Sequence, residues 1–370
     1  MKVNYDFYSG KDLYSDGEIE NEIIEYAKTF KNMDDVFEKD IRWPVFYHLT
    51  PIRKNILNWY PFDKDSDVLE IGGGMGAITE VLCEKCKNVV SVELSKNRAL
   101  SIEARNQDKD NLEIIVGNLN DIDFKDRKFD YITLIGVFEY AMSFTNTDNP
   151  YIDFLNNIKR LLKPDGKILI AIENKFGMKY WLGAPEDHTC VKYDGITGYE
   201  NVNNVRTFGK DEIINILNQC GLKNTKFYYP LPDYKLPSLI FSDEYLPTVE
   251  TIENYIPYYY EGTKVEFDEI KAYKEVIKNN KFDFFANSFL IECSSELINT
   301  KIDLSKIELV NISDVSKKFY NKDYSKIINQ EDIETLKKEN QELRTRLESI
   351  EDSRTWKMTK PLRDIKRKLK

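Results

Sequence analysis

The sequence has 370 residues, 41% of them hydrophobic and 31% charged, which fits a folded globular protein and excludes a disordered or collagen-like chain. The net charge of −10 makes non-specific binding to nucleic acid a poor explanation of its function. No apolar run is long enough to span a bilayer, no secretory signal is evident, and five scattered cysteines favour a reducing compartment. These features predict a cytoplasmic protein.

In chain order, residues 1–62 are predicted to form a helical N-terminal cap, because apolar side chains recur there at helical spacing. Strands and helices alternate from residue 67 onward, which predicts βαβ units and a parallel sheet. A Tyr- and Pro-rich segment at about 230–283 is predicted to be an insertion before the last strand, with helices of its own. The predicted strands are 68–71, 89–93, 112–116, 131–138, 167–172, 225–229 and 284–293, and the predicted helices are 77–86, 96–105, 151–162 and 210–220.

The C-terminal part is predicted to contain a linker at 296–328, a short coiled coil at 329–352 and a basic amphipathic tail at 353–370. The heptad carries apolar residues or Asn at a and d, and its three e–g pairs are opposite in charge, which favours a homodimer through 332–351 over a single solvated helix. The tail interleaves basic and apolar residues. This pattern suits an anionic membrane surface, with a disordered basic tail as the alternative. The stretch SRTWKMTKPLR also resembles the tails of bacterial glycan-building enzymes, and that resemblance implies a glycosyltransferase complex as another partner.

A glycine-rich loop follows the first predicted strand of the sheet. Gly72 and Gly74 with Ala77 satisfy the G-x-G-x-x-G/A spacing of dinucleotide-binding loops. Gly72, Gly74 and Gly76 after Glu70 also satisfy the acidic-x-G-x-G-x-G loop of enzymes that use S-adenosylmethionine (SAM). Glycines let backbone amides approach a ligand at the start of the next helix, so this spacing leaves both cofactor classes open.

Three polar residues near the loop favour SAM. Glu70 can help fix the charged amino-acid end of the cofactor. Glu93 ends the second strand, where a carboxylate accepts both ribose hydroxyls, a feature that NAD enzymes share. Asn118, with Leu119 beside it, ends the third strand and can contact the adenine edge, although an ordinary turn residue is the alternative. A NAD(P) dehydrogenase is the less favoured reading because a convincing catalytic set is missing.

The motifs VLEIGGGMGAITE, SVELS, GNLNDIDF and FDYITLIGVFEYA, followed by LLKPDGKILIAIEN, resemble those of class I SAM-dependent methyltransferases over residues 40–295. The resemblance implies a Rossmann-like seven-stranded α/β sheet over 63–295 and SAM as the cofactor. The segments YHLTPIRKNILNWYPF, ENKFGMKYWLGAPEDHT and FANSFLIE resemble a bacterial subgroup associated with surface-glycan biosynthesis. That subgroup implies methylation of an oxygen or nitrogen of a cell-surface or flagellar glycan component or precursor.

Two other functions remain open on the sequence. The acceptor could instead be a small metabolite or a protein side chain. The chain could also be a non-catalytic scaffold of a glycan-assembly complex, although a scaffold has no need of an open glycine loop.

Catalytic candidates follow from the position of ligand sites in open α/β sheets, past the carboxyl ends of the strands. Glu139 and Tyr140 follow the fourth predicted strand, and Glu173 follows the fifth. His188 lies in a later loop behind two acidic residues, where it could act as a base with a raised pKa or be a surface histidine. His48 is expected to anchor the N-terminal cap.

No metal site is predicted from the sequence. Cys83 and Cys86 form one C-x-x-C pair without a second pair, and a structural zinc needs four ligands. The carboxylates next to His188 could hold a divalent cation, but such a local cluster alone is too weak a signal to predict one.

Overall fold

The structure is a computed structural model that describes residues 1–12, 15–200, 202, 204–259 and 263–320. The predicted coiled coil, the basic tail and the proposed dimerisation segment 332–351 lie outside the described residues. Within the described part, residues 1–259 and those from 265 on form one compact unit.

The described residues contain nine strands and twelve helices in alternation. The strands β1 to β9 are Lys2–Phe7, Asp67–Ile71, Asn88–Glu93, Leu112–Gly117, Phe129–Ile135, Leu162–Glu173, Asn224–Leu231, Leu239–Ser242 and Ser288–Ser294. The helices α1 to α12 are Ile19–Thr29, Asp34–Phe37, Trp43–Leu49, Ala77–Lys85, Lys96–Arg105, Ala141–Phe144, Pro150–Lys159, Met178–Trp181, Lys210–Gln219, Glu269–Lys278, Phe282–Phe285 and Asp314–Tyr320. Short 3₁₀ segments are Pro51–Ile56, Leu119–Asp121, Phe138–Tyr140, Thr251–Asn254 and Leu304–Lys306.

All nine strands form one mixed sheet in the order β1-β4-β3-β2-β5-β6-β9-β7-β8. Strands β1 to β6 pair in parallel, whereas β9 is antiparallel to β6 and β7, and β8 is antiparallel to β7. The chain moves from β2 to β3 on one side and returns to β5 on the other. This reversal is a topological switch point, where open α/β sheets bind ligands. The predicted Rossmann-like α/β class is therefore confirmed.

The predicted count of seven strands is wrong, because one further strand lies at each edge of the sheet. β1 falls inside the predicted helical cap, whose helices α1 to α3 follow it. No β1 residue is fully buried. The sequence KVNYDF nevertheless alternates polar and apolar residues, which is a strand pattern that the helical prediction for 1–62 missed. Gly117 permits its approach to β4, since a Cβ there would lie 2.4 Å from the Phe7 carbonyl oxygen. β8 extends the other edge from within the predicted insertion.

The central strands are buried on both faces, as expected for parallel strands covered by helices on each side. Ile71, Leu134 and Ile170 belong to the apolar cluster on one face, and Val68 and Leu169 belong to the cluster on the other. This packing makes the carboxyl ends of β2 to β6 a rigid platform for side chains. No helix in the described ranges is long and apolar enough to cross a membrane.

The described part of the predicted linker, residues 296–320, packs on the domain. The Asn55 side chain donates to the carbonyl of Val310 at 2.9 Å and accepts from its amide at 2.7 Å. The Phe319 ring of α12 stacks on Phe46 of α3 with 4.3 Å between centroids. The described part of this segment is therefore packed against the domain through both hydrogen bonds and an aromatic contact.

Candidate active site

The loop between β2 and α4 exposes its backbone at one glycine. Gly72, Gly74 and Gly76 have φ angles of +76°, +54° and +85°, a region that side-chain-bearing residues adopt at a cost. A Cβ on Gly72 would lie 2.4 Å from a methyl of Val137, whereas a Cβ on Gly74 would meet no atom within 4 Å. The loop is therefore packed at its start and open at Gly74, directly before the N-terminus of α4.

Glu93 closes the side of the loop from the end of β3. Its carboxylate accepts from the Gly74 amide at 2.7 Å and from the Ser95 amide at 2.9 Å. Burial raises the pKa of Glu93, and these backbone donors oppose that rise. Because each oxygen accepts one of these bonds, each retains a lone pair for another donor.

Glu70 lies beneath the loop rather than in the opening. Its Oε2 accepts from the hydroxyls of Thr79 at 2.6 Å and Ser91 at 2.7 Å, and the side chain is 2% exposed. Burial raises the pKa of Glu70 to about 7, although both hydroxyls favour its charged form. A Cβ on Gly73 would lie 3.2 Å from Glu70 Oε2, so this carboxyl supports the loop from below.

Asn118 and Leu119 follow β4, one strand beyond Glu93, and both are half-buried. The Asn118 side chain accepts from the Asn120 amide at 3.0 Å, which is the turn-capping contact expected of a residue in this position. Its carbonyl oxygen has a second lone pair, so capping and contact with a ligand can coexist. Its predicted role at the adenine edge stays a prediction.

Glu139, Glu173 and His188 lie together past the ends of β5 and β6. Glu139 is in the 3₁₀ turn Phe138–Tyr140 and Glu173 is the last residue of β6. His188 Nε2 lies 3.6 Å from Glu139 Oε1 and 3.9 Å from Glu173 Oε2. The Tyr140 ring meets the imidazole edge-on at 5.4 Å. We call Glu139, Glu173 and His188 the Glu–Glu–His cluster.

Glu186 fixes the orientation of His188 in this cluster. Its Oε1 lies 2.9 Å from His188 Nδ1 and accepts from the Tyr199 hydroxyl at 3.1 Å. Its Oε2 accepts from the backbone amides of His188 and Thr189, both at 2.7 Å. With Nδ1 held by Glu186, Nε2 points at the other two carboxylates.

Burial and charge act against each other in this cluster. Burial alone would lower the pKa of His188, but Glu173, Glu139 and Glu186 overcome it and raise that pKa well above its usual value. Burial, together with the like charge of Glu173, raises the pKa of Glu139 against the opposing effect of His188. The imidazole is thus placed to carry positive charge among carboxylates.

A second group of buried charges supports the cluster. Lys235 Nζ lies 2.5 Å from Glu173 Oε1 and 2.5 Å from Asp187 Oδ1. Lys179 Nζ lies 2.8 Å from Asp187 and 3.2 Å from Asp233. Burial opposes charge on Asp187, yet the two lysines hold its pKa well below the usual value. Three of these residues, Lys179, Asp233 and Lys235, were missed at the level of sequence because they share no motif. The one sequence signal that could have indicated them is a charged residue inside an apolar stretch.

The other histidine lies away from this cluster. His48 Nε2 is 3.0 Å from Asp16 Oδ2, and the same carboxylate pairs with Arg98 at 2.8 Å. Burial lowers the pKa of His48 despite its contact with Asp16. His48 therefore ties the N-terminal segment to α3, as expected of an anchoring residue.

Comparison with known proteins gives one family match and several partial relatives. Residues 69–170 match the family model described as a methyltransferase domain. The uncharacterized protein MJ1123 of Methanocaldococcus jannaschii is 29% identical over 167 residues, which are 43% of this chain and 65% of that protein. The ribosomal RNA small subunit methyltransferase A of Geobacter metallireducens is 36% identical over 62 residues, 17% of this chain and 22% of the relative.

The matched part of the chain carries the glycine loop, Glu93 and Asn118. The family match identifies this region as a methyltransferase domain. SAM is the cofactor of the domain. The chain spans 65% and 61% of the first two curated relatives it matches.

Solved structures of methyltransferases also resemble this domain. A Haloferax volcanii methyltransferase crystallised with the Trm112 activator has a TM-score of 0.43 and 16% identity, covering 77% of this chain and all of that one. The Haemonchus contortus phosphoethanolamine N-methyltransferase 1 has a TM-score of 0.40 and 16% identity, covering 83% of this chain and 55% of that one.

The methyltransferase domain has the features that SAM requires. Gly74 leaves open space where a ligand can approach the backbone, and the buried Glu93 carboxylate retains lone pairs for the ribose hydroxyls. Asn118 lies at the end of the next strand, β4, and its contact with the adenine stays a prediction. The residues that would hold SAM are therefore Gly72, Gly74, Gly76, Glu93 and Asn118 with Leu119, over a loop supported by Glu70.

Proposed function

We propose that this chain is a SAM-dependent methyltransferase whose acceptor is an oxygen or nitrogen of a surface-glycan component or its precursor. The observation that supports the proposal is that the glycine loop and the Glu–Glu–His cluster lie at the same edge of the sheet. The open glycine loop follows β2, and the Glu–Glu–His cluster follows β5 and β6.

The register of the sheet supports this arrangement. Ile71 pairs with Leu134, and Leu134 pairs with Ile170, so the ends of β2, β5 and β6 are successive neighbours. Paired strands lie about 4.8 Å apart. Methyl transfer needs the nucleophile in line at about 3 Å from the methyl carbon, and donor and acceptor bound at neighbouring strand ends can meet that requirement.

The polar chemistry of the cluster favours a hydroxyl- or amine-bearing acceptor over an apolar one. Carboxylates accept hydrogen bonds from either group, and an alcohol must lose its proton during transfer whereas a neutral amine needs only a free lone pair. Glu139, Glu173 and His188 are the candidate catalytic residues, and Tyr140 lines the imidazole.

The glycan acceptor is supported by the segment that resembles the bacterial surface-glycan subgroup. That segment, ENKFGMKYWLGAPEDHT, begins at Glu173 and contains His188, which are two members of the cluster. It also supplies Lys179 and Asp187 of the supporting ion pairs. Residues of this subgroup-like segment thus form part of the proposed acceptor position.

Titration calorimetry with SAM tests the cofactor half of the proposal, with micromolar binding expected and no binding supporting a scaffold. The acceptor is tested by incubation with labelled SAM and separated glycan, small-metabolite and protein fractions, followed by mass spectrometry. We expect a methyl added to the glycan fraction. Label found only in metabolites or protein would replace the glycan by that acceptor class.

The C-terminal segments lead to a proposal about assembly. The heptad charges support a homodimer through 332–351, and the basic tail supports docking at an anionic membrane or a glycan-building enzyme. Sedimentation of the full chain against a 1–328 truncation tests the dimer, and a monomeric full chain would reject it. Flotation with anionic liposomes before and after deletion of 353–370 tests the membrane contact.

A further inference from the structure

We infer that Glu139, Glu173 and His188 bind a divalent cation within the acceptor region. One nitrogen and two carboxylate oxygens form a ligand set that suits first-row ions such as Mn²⁺, Fe²⁺ or Zn²⁺. Cation binding by this cluster is independent of methyl transfer, whereas the role suggested for the ion below rests on the proposed function.

The spacing of the three ligand atoms is the first observation. All lie within 4.8 Å of one another, and the distances from His188 Nε2 are 3.6 Å to Glu139 and 3.9 Å to Glu173. Both distances exceed those of good hydrogen bonds. Ligands bound at about 2.1 Å from one ion lie roughly 3.0–4.2 Å apart, depending on geometry. Both distances from His188 Nε2 fall in that range, which is compatible with binding to a common ion.

Unpartnered carboxylate oxygens are the second observation. Glu173 Oε2, which lies 3.9 Å from His188 Nε2, is buried, and no hydrogen bond from the described residues reaches it. Glu139 Oε2 is also buried without a hydrogen bond, and the Glu139 oxygen nearer the imidazole is Oε1. The side chains of Glu139 and Glu173 are 1% and 0% exposed, and leaving such atoms unpaired is costly. Lys235 neutralises the opposite oxygen of Glu173, which leaves Oε2 facing the cluster. A bound cation would supply the missing partner.

The environment of His188 is the third observation. Metal-ligating histidines characteristically donate the other ring nitrogen to a carboxylate, which fixes the tautomer and the ring orientation. Glu186 occupies that place on Nδ1 at 2.9 Å, and Tyr199 and two backbone amides hold Glu186 in turn. The Nδ1 proton stays directed at Glu186, and a cation that binds Nε2 displaces the proton that the imidazolium carries there. Nε2 lies on the side of Glu139 and Glu173.

Three protein ligands leave coordination positions on the cation open for the acceptor. A cation in this position favours a hydroxyl acceptor over an amine, because the bound cation lowers the pKa of the hydroxyl. The hydroxyl proton then leaves to water, the oxygen–methyl bond forms as the methyl–sulfur bond of SAM breaks, and the products are a methyl ether, S-adenosylhomocysteine and one proton. On this basis, the site methylates oxygen.

Mn²⁺ binding to the chelator-treated full chain, followed by electron paramagnetic resonance, tests the site directly. We expect one Mn²⁺ per chain, displaced by Zn²⁺, with binding at least tenfold weaker in Glu139→Gln, Glu173→Gln and His188→Gln. The matched control is Glu292→Gln, because Glu292 is also a buried carboxylate paired with a lysine, Lys167 at 3.0 Å. It should bind Mn²⁺ within twofold of the unaltered chain.

Two outcomes would overturn the site: no uptake of Mn²⁺ or Zn²⁺ by the unaltered chain, or unchanged uptake in the folded cluster variants. The test of uptake by the unaltered chain does not depend on whether any variant folds. For the test with variants, thermal melts show which of them are folded. SAM calorimetry on the same samples keeps the two proposals apart. If the chain binds SAM but not Mn²⁺, only the cation site is rejected. If it binds Mn²⁺ but not SAM, the methyltransferase proposal is rejected and the cation site stands.

Discussion

The glycine loop and the Glu–Glu–His cluster lie at the same edge of the sheet but are built in different ways. The loop is a continuous stretch, 70–77, in which backbone conformation leaves space for a ligand. The cluster gathers side chains from 139, 173 and 188, which meet only because β5 and β6 are neighbours and Glu186 turns the imidazole inward. The cofactor loop is thus encoded by one local stretch of sequence, whereas the acceptor cluster depends on which strands the topology makes neighbours.

The largest expected effect is on the pH dependence of stability when Glu70, the carboxyl beneath the glycine loop, is replaced. Burial raises the pKa of Glu70 to about 7 from its ordinary 4.5. The folded state therefore holds a proton that the unfolded chain releases, so the unaltered chain loses stability as pH rises from about 4.5 to 7. Glu70→Gln lacks this titration, and its stability relative to the unaltered chain should increase by about 3 kcal/mol over that range.

Urea denaturation of both proteins between pH 5 and pH 8 measures this difference. Every other titrating group is common to the two chains and cancels in the comparison. A stability difference that does not change with pH would mean that Glu70 is charged in the folded protein and does not lie in the low-dielectric position described here.

The open face of the loop gives the next largest effect. In Gly74→Ala the new methyl points into open space, which SAM would occupy on the proposed function, and the left-handed backbone adds about 1 kcal/mol of strain. SAM affinity should fall about a hundredfold, which corresponds to about 2.7 kcal/mol. Calorimetry with SAM measures it.

Gly221→Ala is the matched control for this substitution. Gly221 also has a left-handed backbone, with φ of +74°, and its Cβ would meet only the flexible end of Lys159. SAM affinity should stay within twofold there. Equal losses in both variants would trace the effect to general backbone strain, and the cofactor would have to be placed elsewhere.

In the cluster the expected effect is on turnover rather than on cofactor binding. His188→Ala removes the group that lies between Glu139 and Glu173, and turnover should fall at least tenfold while SAM affinity is unchanged. Steady-state rates with calorimetry on the same preparation separate the two quantities. His48→Ala serves as the comparison, because that histidine contacts Asp16 and not the cluster. Near-normal turnover in His188→Ala would remove His188 from the mechanism.

The same contrast explains how much could be predicted from sequence. The central strands and the helices after them were predictable because parallel strands buried on both faces are continuous apolar runs between glycine or polar turns. β1 was missed because the helical spacing of the residues after it was extended to the whole segment 1–62, although KVNYDF alternates polar and apolar residues. Lys235 was not predictable, because its role depends on a contact with Glu173, 62 positions earlier in the chain, and no local pattern encodes such a pairing.

The smallest effect would show which part of SAM lies next to β4. Asn118 accepts from the Asn120 amide, and an additional hydrogen bond from the adenine amino group would contribute about 1 kcal/mol. Asn118→Ala should therefore weaken S-adenosylhomocysteine about fivefold and leave S-inosylhomocysteine, which lacks that amino group, unchanged. Asn118→Asp keeps an acceptor and should bind both ligands as the unaltered chain does. Because loss of the turn cap would weaken both ligands alike in Asn118→Ala, only a selective loss supports contact with the adenine edge, and parallel losses would assign Asn118 to the turn alone.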